Sequence, residues 1–185
     1  MRQIRTDIRL AGLVAVVAGA LALAPSASAH CPDAGATANR ASNRQLVRAT
    51  LCLLNARRTK HRLRRLRLDR GLSNAARRHS RDMVRRGYFS HTSLSGATFV
   101  DRIERSGYLR GARTWMLGEN LAWGAGSRSS AARIVRAWMR SPGHRANMLT
   151  ARFRHVGIGI VAGGPRWLGR VPAATYTTDF GFKRR

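Results

Sequence analysis

The sequence is poor in acidic residues and in cysteine. Its 185 residues contain 8 Asp and Glu and 2 Cys, and only Glu104 and Glu119 are glutamates. Neither a CxxC pair nor a Cys/His spacing is present, which excludes the zinc-finger type of structural metal site. The chain also lacks the HExxH, GxSxG, P-loop and Rossmann motifs, so the usual carriers of hydrolase and nucleotide chemistry are missing.

Basic residues are abundant. Lys and Arg number 35, the formal net charge is +27, and all the basic residues except Lys60 and Lys183 are Arg. A charge of this size favours salt-sensitive binding to anionic polymers or membranes. An excess of arginine along the whole chain is equally typical of a general compositional bias. In that case the charged side chains are simply solvated and bind no particular partner. The length and the 44% of hydrophobic residues predict one globular domain.

Residues 1–29 have the pattern of a secretion signal. A basic start precedes an apolar run over residues 11–24, and the small residues Ala27 and Ala29 suit cleavage by a signal peptidase. A run of this length is too short to span a bilayer as a helix. We therefore expect a secreted mature chain that begins at His30, carries a charge of +25 (32 basic against 7 acidic residues), has no membrane span and is associated with the cell wall or released.

Both cysteines lie near the expected mature N-terminus. An oxidising destination favours a Cys31–Cys52 disulfide over two free thiols, and it would tie a tail of residues 30–44 to the first helix. Closing a loop of this length stabilises a fold by roughly 3 kcal/mol. A lipid anchor on Cys31 is less well supported, because the bulky His30 precedes it.

Helical periodicity comes first along the chain and strand-like alternation comes late. Four helices are predicted at about residues 43–58, 72–86, 98–107 and 130–140, with the basic stretch 61–70 as a connector and residues 141–143 as the stop of the fourth helix. Strands are predicted at residues 116–124, 156–161 and 175–182. The sum is an α+β fold over residues 45–185, a small antiparallel sheet with about four helices packed around it.

Glu119 stands out because the alternation places it on the same side of its strand as Leu117, Leu121 and Trp123. Burial of an unpaired carboxylate there would cost several kcal/mol, so a partner is required. One interpretation is a structural salt bridge to an arginine. The other is a functional site, in which histidines or a metal ion compensate the charge.

The histidines differ in their sequence settings. His91 follows a helix stop and His144 follows Ser-Pro-Gly, and loops on a rigid scaffold are where functional sites concentrate. His79 lies on an apolar helical stripe and is predicted to be a core residue, whereas the remaining histidines, His30, His61 and His155, are predicted to lie at the surface. Two imidazoles and one carboxylate are a set that suits zinc with open positions, and the same set can move protons near neutral pH.

Six strings occur in an order that resembles the CAP family, the group of cysteine-rich secretory, antigen 5 and pathogenesis-related proteins. They are HSRDM (79–83), YFSH (88–91), GENLA (118–122), WMRSPGHRANML (138–149), VGIG (156–159) and YTTDFG (176–181). The resemblance covers about residues 45–182 and is to the short bacterial, SCP-like branch. It implies a secreted protein with an α-β-α sandwich.

The resemblance also implies a central cleft, lined in many members by two histidines and two acidic residues, that binds zinc or another divalent cation in some of them. By position, His91, Glu119 and His144 match three of these residues, and Ser141 takes the place of the second glutamate. These four are the predicted ligand-binding residues, and the first three are the predicted metal ligands. The missing carboxylate should weaken a metal or leave a three-ligand site completed by water.

Three functions are compatible with these observations. The first is an extracellular binding module whose cleft holds a divalent metal or a small or lipid ligand. The second is a metal-assisted hydrolase of peptide or cell-wall substrates, with His91 or His144 as the base, although no catalytic nucleophile is evident. The third is a polycationic adhesion protein that binds anionic cell-wall polymers. Export argues against nucleic acid as a partner, and we expect a monomer.

Overall fold

Five α-helices and four β-strands make up the fold over the described residues. The computed structural model describes residues 31–165 and 171–185, so the secretion signal predicted at residues 1–29 and the expected start at His30 lie outside the described residues. In chain order the elements are α1 (Asn43–Lys60), β1 (Arg67–Leu68), α2 (Arg70–Arg86), α3 (Phe99–Arg105), β2 (Thr114–Ala125), α4 (Ala131–Arg140), α5 (Pro142–Leu149), β3 (His155–Ala162) and β4 (Ala173–Arg184). Over the described ranges, none of the helices is both long and apolar enough for a bilayer span.

The sheet has four strands in the order β1-β3-β4-β2. Strand β4 pairs antiparallel with both β2 and β3, as the sequence predicts, but β1 pairs parallel with β3. The sheet is therefore mixed rather than purely antiparallel. The extra strand comes from the basic connector, where the backbone amides of Arg67 and Asp69 donate to the carbonyls of Arg154 and Val156. Charged residues are common on such short edge strands, because they discourage pairing with other chains.

Helices cover both faces of the sheet, which confirms the α-β-α sandwich. On one face, α1, α4 and α5 bury a large apolar core against β3 and β4, and its members include Leu54, Trp138, Met148, Ile158 and Phe180. On the other face, α2 and α3 form a smaller cluster of Leu72, Ala75, Ile103 and Tyr108. The smaller apolar content of this second face leaves room for buried polar groups between α2 and the sheet.

Two glycines of β3 allow α2 to lie directly on the sheet. A Cβ atom at Gly157 would come within 2.0 Å of the Leu72 carbonyl carbon, and one at Gly159 within 2.3 Å of the Ala76 carbonyl carbon. The VGIG string is thus explained by close packing of a helix against a strand.

A fifth helix begins where the sequence predicts a stop. Ser141 has an extended backbone and both ends α4 and precedes α5, with Pro142 in the first turn of the new helix. Proline is well tolerated there, because the first amide of a helix has no intrahelical partner. His144 therefore lies on the first turn of α5 and not in a loop.

The predicted disulfide is confirmed. Cys31 and Cys52 are bonded, with their Cα atoms 5.6 Å apart. The tail that they anchor also contacts the start of α4, since the amide of Ala132 donates to the carbonyl of Ala34. The tail is thereby fixed on the sheet face that carries α1 and α4.

Candidate functional site

The Glu119 carboxylate is buried on β2 and has two partners. Its Oε1 lies 2.8 Å from Nδ1 of His91, and its Oε2 accepts a hydrogen bond from Nη2 of Arg102 at 2.7 Å. The side chain of Glu119 is 1% exposed and that of Arg102 is 8% exposed. The salt bridge to an arginine is thus present, and a histidine contacts the same carboxylate, whereas the functional role of this group stays a prediction.

Arg102 is held in place by the loop before α3. Its Nη1 donates to Oγ of Ser93 at 3.2 Å and to the carbonyl of Ala97 at 2.9 Å. The helix itself begins with the predicted capping box, in which Thr98 and Asp101 exchange side-chain to backbone hydrogen bonds. The capped start fixes the helix that carries Arg102 directly under the Glu119 carboxylate.

Asp179 of β4 is the direct strand partner of Glu119 and is 1% exposed. Burial, and next the negative charge of Glu119, raise the pKa of the Asp179 carboxyl well above its ordinary value. Two adjacent buried carboxyl groups beside one guanidinium disfavour a second negative charge, which is the physical cause of the raised pKa of Asp179. Within residues 31–165 and 171–185, Oδ1 of Asp179 has no hydrogen-bond partner.

His91 presents its ring to solvent from the loop between α2 and α3. The side chain is 55% exposed. Because Glu119 accepts the hydrogen bond, the contact assigns the proton of the neutral imidazole to Nδ1 and leaves Nε2 as an acceptor. The buried carboxylate thus fixes both the tautomer and the orientation of an accessible imidazole.

His144 lies on α5, where its Nδ1 is 2.9 Å from Oγ of Ser141. Burial lowers the pKa of His144, and the charge of the nearby His91 lowers it further. Both effects disfavour the charged imidazolium, so His144 is neutral at neutral pH. His144 is thus near enough to His91 for the two imidazoles to influence each other's charge. The Ser141 hydroxyl contacts His144 and makes no hydrogen bond to the Glu119 carboxylate.

Helix α5 is fastened to β2 by two asparagines. The side-chain amide of Asn120 donates to the carbonyl of His144 at 3.0 Å, and that of Asn147 donates to the carbonyl of Glu119 at 3.1 Å. Gly118 leaves room for this contact, since a Cβ there would lie 2.8 Å from Oδ1 of Asn147. These bonds join the GENLA segment of β2 to the SPGHRAN segment of α5.

Two other histidines have buried contacts. His79 is 1% exposed, which confirms the core prediction, and its Nε2 is 2.9 Å from the carbonyl of Ser90. The prediction for His155 was wrong, because its ring is half-buried and its Nδ1 lies 2.9 Å from the hydroxyl of Tyr108. His61 is exposed, as predicted.

Two residues of this buried network, Arg102 and Asp179, are not predicted from the sequence. Arg102 is one of many arginines, and nothing in its immediate spacing separates it from the rest. Asp179 had a usable signal, since it is one of only 8 acidic residues and lies inside the strand pattern YTTDF. A carboxyl group in a predicted buried strand requires a compensating partner or a raised pKa, and this holds for Asp179 as it does for Glu119.

The predicted metal ligands His91, Glu119 and His144 each contact another protein group in the structure. Across the part of the chain that the structure describes, no group of three or more His, Cys, Asp or Glu side chains is arranged to hold a metal ion. Both oxygens of Glu119 are engaged, and the guanidinium of Arg102 already neutralises that carboxylate. The metal expected at His91, Glu119 and His144 is therefore still only a prediction, and no chemical step is derived through it.

Comparison with known proteins gives a family and several bacterial relatives. The model of the cysteine-rich secretory protein (CAP) family matches residues 51–177. The protein YkwD of Bacillus subtilis (strain 168) is 37% identical over 115 residues, which are 62% of this chain and 42% of YkwD. The membrane protein YlbC of the same strain is 34% identical over 110 residues, or 60% of this chain and 30% of YlbC. The chain thus matches less than half of the length of these relatives.

Two solved structures have a similar fold. An extracellular protein with an SCP domain from Bacillus anthracis str. Ames has a TM-score of 0.57 and 28% identity, covering 78% of this chain and 44% of that one. An outer surface protein of Borrelia burgdorferi has a TM-score of 0.62 with 19% identity, covering 78% of this chain and 97% of the other. At that identity the second likeness concerns the fold alone.

Proposed function

Because the chain belongs to the cysteine-rich secretory protein (CAP) family, we propose that it is a secreted binding module whose site is the cleft of His91, Glu119 and His144. The observation that carries the proposal is the buried Glu119 carboxylate, held by Arg102 and bonded to an exposed imidazole. A buried ion pair that orients an accessible ring is an arrangement suited to ligand binding. Export is supported by the secretion signal predicted at residues 1–29, by the disulfide and by the similarity to an extracellular protein with an SCP domain.

The chemistry of the cleft favours a small ligand that carries hydroxyl groups. His91 offers Nε2 as an acceptor, and a neutral His144 offers its second ring nitrogen as well. The charge of Glu119 is already matched by Arg102, so it is not available to attract a cationic ligand. The two imidazoles beside the Ser141 hydroxyl provide hydrogen-bonding groups for a polar ligand.

Native mass spectrometry of the protein purified from culture medium tests this proposal. We expect a bound non-protein mass on the wild type and on His61→Ala, an exposed histidine at the end of α1, and its loss from the His91→Ala, His144→Ala double variant. An equal bound mass on all three proteins, or none on any, contradicts the proposal.

Calorimetric titration of the same three proteins with zinc chloride tests the metal that the family resemblance implies. Heat in the wild type and in His61→Ala that is absent from the double variant supports a histidine-bound ion. If none of the three proteins releases heat on titration with zinc, the metal is removed from the proposal, and the binding of a small ligand is unaffected by this result.

Hydrolysis is a second candidate, and the Ser141–His144 contact favours it. Ser141 precedes α5 but its hydroxyl makes no helix-capping bond and lies instead 2.9 Å from Nδ1 of His144. In this mechanism Oγ of Ser141 attacks the carbonyl carbon of an amide or ester and its proton passes to His144. The bond to the leaving group then breaks as His144 returns the proton to it, and water hydrolyses the acyl-serine.

Incubation with casein and with peptidoglycan, with and without a chelator, tests this second candidate. We expect product release that the chelator does not affect and that Ser141→Ala abolishes, whereas Ser127→Ala, in the turn before α4, retains it. The mechanism is contradicted if the wild type hydrolyses neither substrate, or if Ser141→Ala hydrolyses a substrate as fast as the wild type does.

A further inference from the structure

Arginines concentrate around a cleft of about 320 Å³ between α2 and α3. Four of them, Arg78, Arg86, Arg102 and Arg105, line it together with a single acidic residue, Asp82. A concave site with this excess of guanidinium groups has the electrostatic character of an anion-binding site.

The charges in the cleft are unevenly matched. Arg102 is bonded to Glu119, and Asp82 lies 3.8 Å from Arg86 while also accepting a hydrogen bond from the Tyr88 hydroxyl. Among the residues that the structure describes, Arg78 and Arg105 have no carboxylate within salt-bridge distance. Two exposed guanidinium groups on opposite sides of the cleft therefore have their donors free.

His79 lies in the wall of the same cleft, and one of its two ring nitrogens has no hydrogen-bond partner among the described residues. Its Nε2 donates to the carbonyl of Ser90, which leaves Nδ1 as the acceptor of the neutral ring. This Nδ1 is buried and has no partner in the described ranges. Burial, followed by the positive charge of Arg102, lowers the pKa of His79 and keeps the ring neutral. The missing contact is one that a ligand hydroxyl supplies.

The basic surface continues from the cleft along α2. An adjoining groove shares Arg78, Asp82 and Arg86 with the cleft and adds Arg81 and Arg85. Arg78, Arg81 and Arg85 lie on one side of the helix, because they are separated by three and four residues, and they extend over about 10 Å at 1.5 Å per residue. A row of this length matches repeated anionic groups on a polymer better than a single small ion.

We propose that this arginine cleft is a binding site, separate from the His91 and His144 cleft, for a polyol phosphate polymer. Arg78 and Arg105 bind one phosphodiester group through their paired N–H donors, the row along α2 binds the following ones, and a polyol hydroxyl donates to Nδ1 of His79. The proposed contacts use neither His91 nor His144, although Arg102 lines this cleft and also bonds to Glu119 of the other site.

Nucleic acid also carries phosphodiester groups, but the cleft is poorly suited to it. Proteins that bind single strands stack the bases on aromatic side chains. The described lining of this cleft contains no Phe, Tyr or Trp, whereas it does contain the buried acceptor that a polyol hydroxyl satisfies. The observations therefore favour a polyol over a base-bearing polymer.

The test measures binding of the purified full-length secreted protein to immobilised poly(glycerol phosphate). We expect Arg78→Gln, Arg105→Gln to weaken binding by about tenfold, because two guanidinium–phosphate pairs are lost. The matched control is Arg133→Gln, Arg136→Gln, which removes the same charge from exposed positions of α4 and should change binding by less than about twofold. An equal loss in both double variants means that only net charge matters, and overturns the proposal.

Competition with soluble probes separates the possible ligands. We expect glycerol 3-phosphate to compete more strongly than inorganic phosphate, since only the former carries the hydroxyl for His79. Equal or stronger competition by an oligothymidylate or by poly-L-glutamate overturns the polyol assignment. His91→Ala, His144→Ala should retain full polymer binding, and its loss in that variant assigns the polymer to the other cleft and overturns the separate site.

Discussion

Glu119 and Asp179 occupy directly opposed positions on β2 and β4, and both are buried. Arg102 bonds to Glu119, while burial and the charge of Glu119 raise the pKa of the Asp179 carboxyl. A raised pKa favours the protonated form of Asp179 and so limits the negative charge in this layer of the sheet. The exposed imidazole of His91 is therefore supported by a buried network in which Arg102 supplies the positive charge.

Removal of that cation should destabilise the fold. Arg102→Met leaves the Glu119 carboxylate buried without its partner, so we expect the free energy of unfolding in urea to fall by about 3–5 kcal/mol. Arg105→Met, on the same helix but exposed, is the control and should change stability little. Addition of Glu119→Gln to Arg102→Met should recover part of the loss. Strictly additive effects of the two substitutions would show that the pair does not interact.

Asp179 should make the protein less stable as the pH rises. A carboxyl whose folded-state pKa is raised binds more protons in the folded state, so its contribution to stability is lost between the ordinary Asp pKa and the raised one. Asp179→Asn should remove this decline in urea midpoints measured from about pH 4 to about pH 8. Asp33→Asn, at an exposed site in the tail, should follow the wild-type curve. A wild-type decline that persists unchanged in Asp179→Asn contradicts the assignment.

His144 should titrate below the ordinary pKa of histidine. Burial is the main cause and the charge of His91 the second, so the His91→Ala substitution should raise the pKa of His144 part of the way back. Proton NMR of the imidazole ring protons measures both values directly. His61→Ala should leave the His144 titration unchanged, and an equal response to both substitutions would show that the two imidazoles are not coupled.

The disulfide should contribute measurably to stability. Cys31 and Cys52 are 21 residues apart, and a loop of this size corresponds to roughly 3 kcal/mol in the chain-entropy account. We expect Cys31→Ser, Cys52→Ser to lower the free energy of unfolding by about this amount, and reductant to lower the wild-type value equally. Reductant should have no effect on the double variant. No difference between oxidised and reduced wild type would contradict a stabilising role.

Local patterns predicted most of the fold because they reflect local physics. The stripe on α2, the Thr98 capping box and the alternation around Glu119 each depend on neighbours within a few residues. Strand β1 could not be predicted in this way, since two residues of a basic connector become a strand only by pairing with β3. Helix α5 was missed for another reason: Ser-Pro-Gly ends one helix and begins the next with the same residues.

The part of the site that could be predicted from the sequence is the part that involves a rare residue type, the acidic residues. In a chain with only 8 acidic residues, a strand glutamate indicates a partner, and His91 was one of those inferred. The second partner, Arg102, comes from a different helix and is chemically identical to its many unpaired neighbours. Which arginine reaches Glu119 is decided by the packing of α3 against the sheet, and that information is not local to the sequence.

The position of the Cys31–Cys52 bond also determines how the molecule is oriented when it is held by its tail. That bond lies on the face of α1 and α4, whereas the arginine cleft opens on the opposite face, between α2 and α3. A tag or tether joined next to Cys31 therefore points the guanidinium groups away from the support. Immobilisation through this end keeps the basic surface open to long polymers, whereas attachment through α2 would cover it.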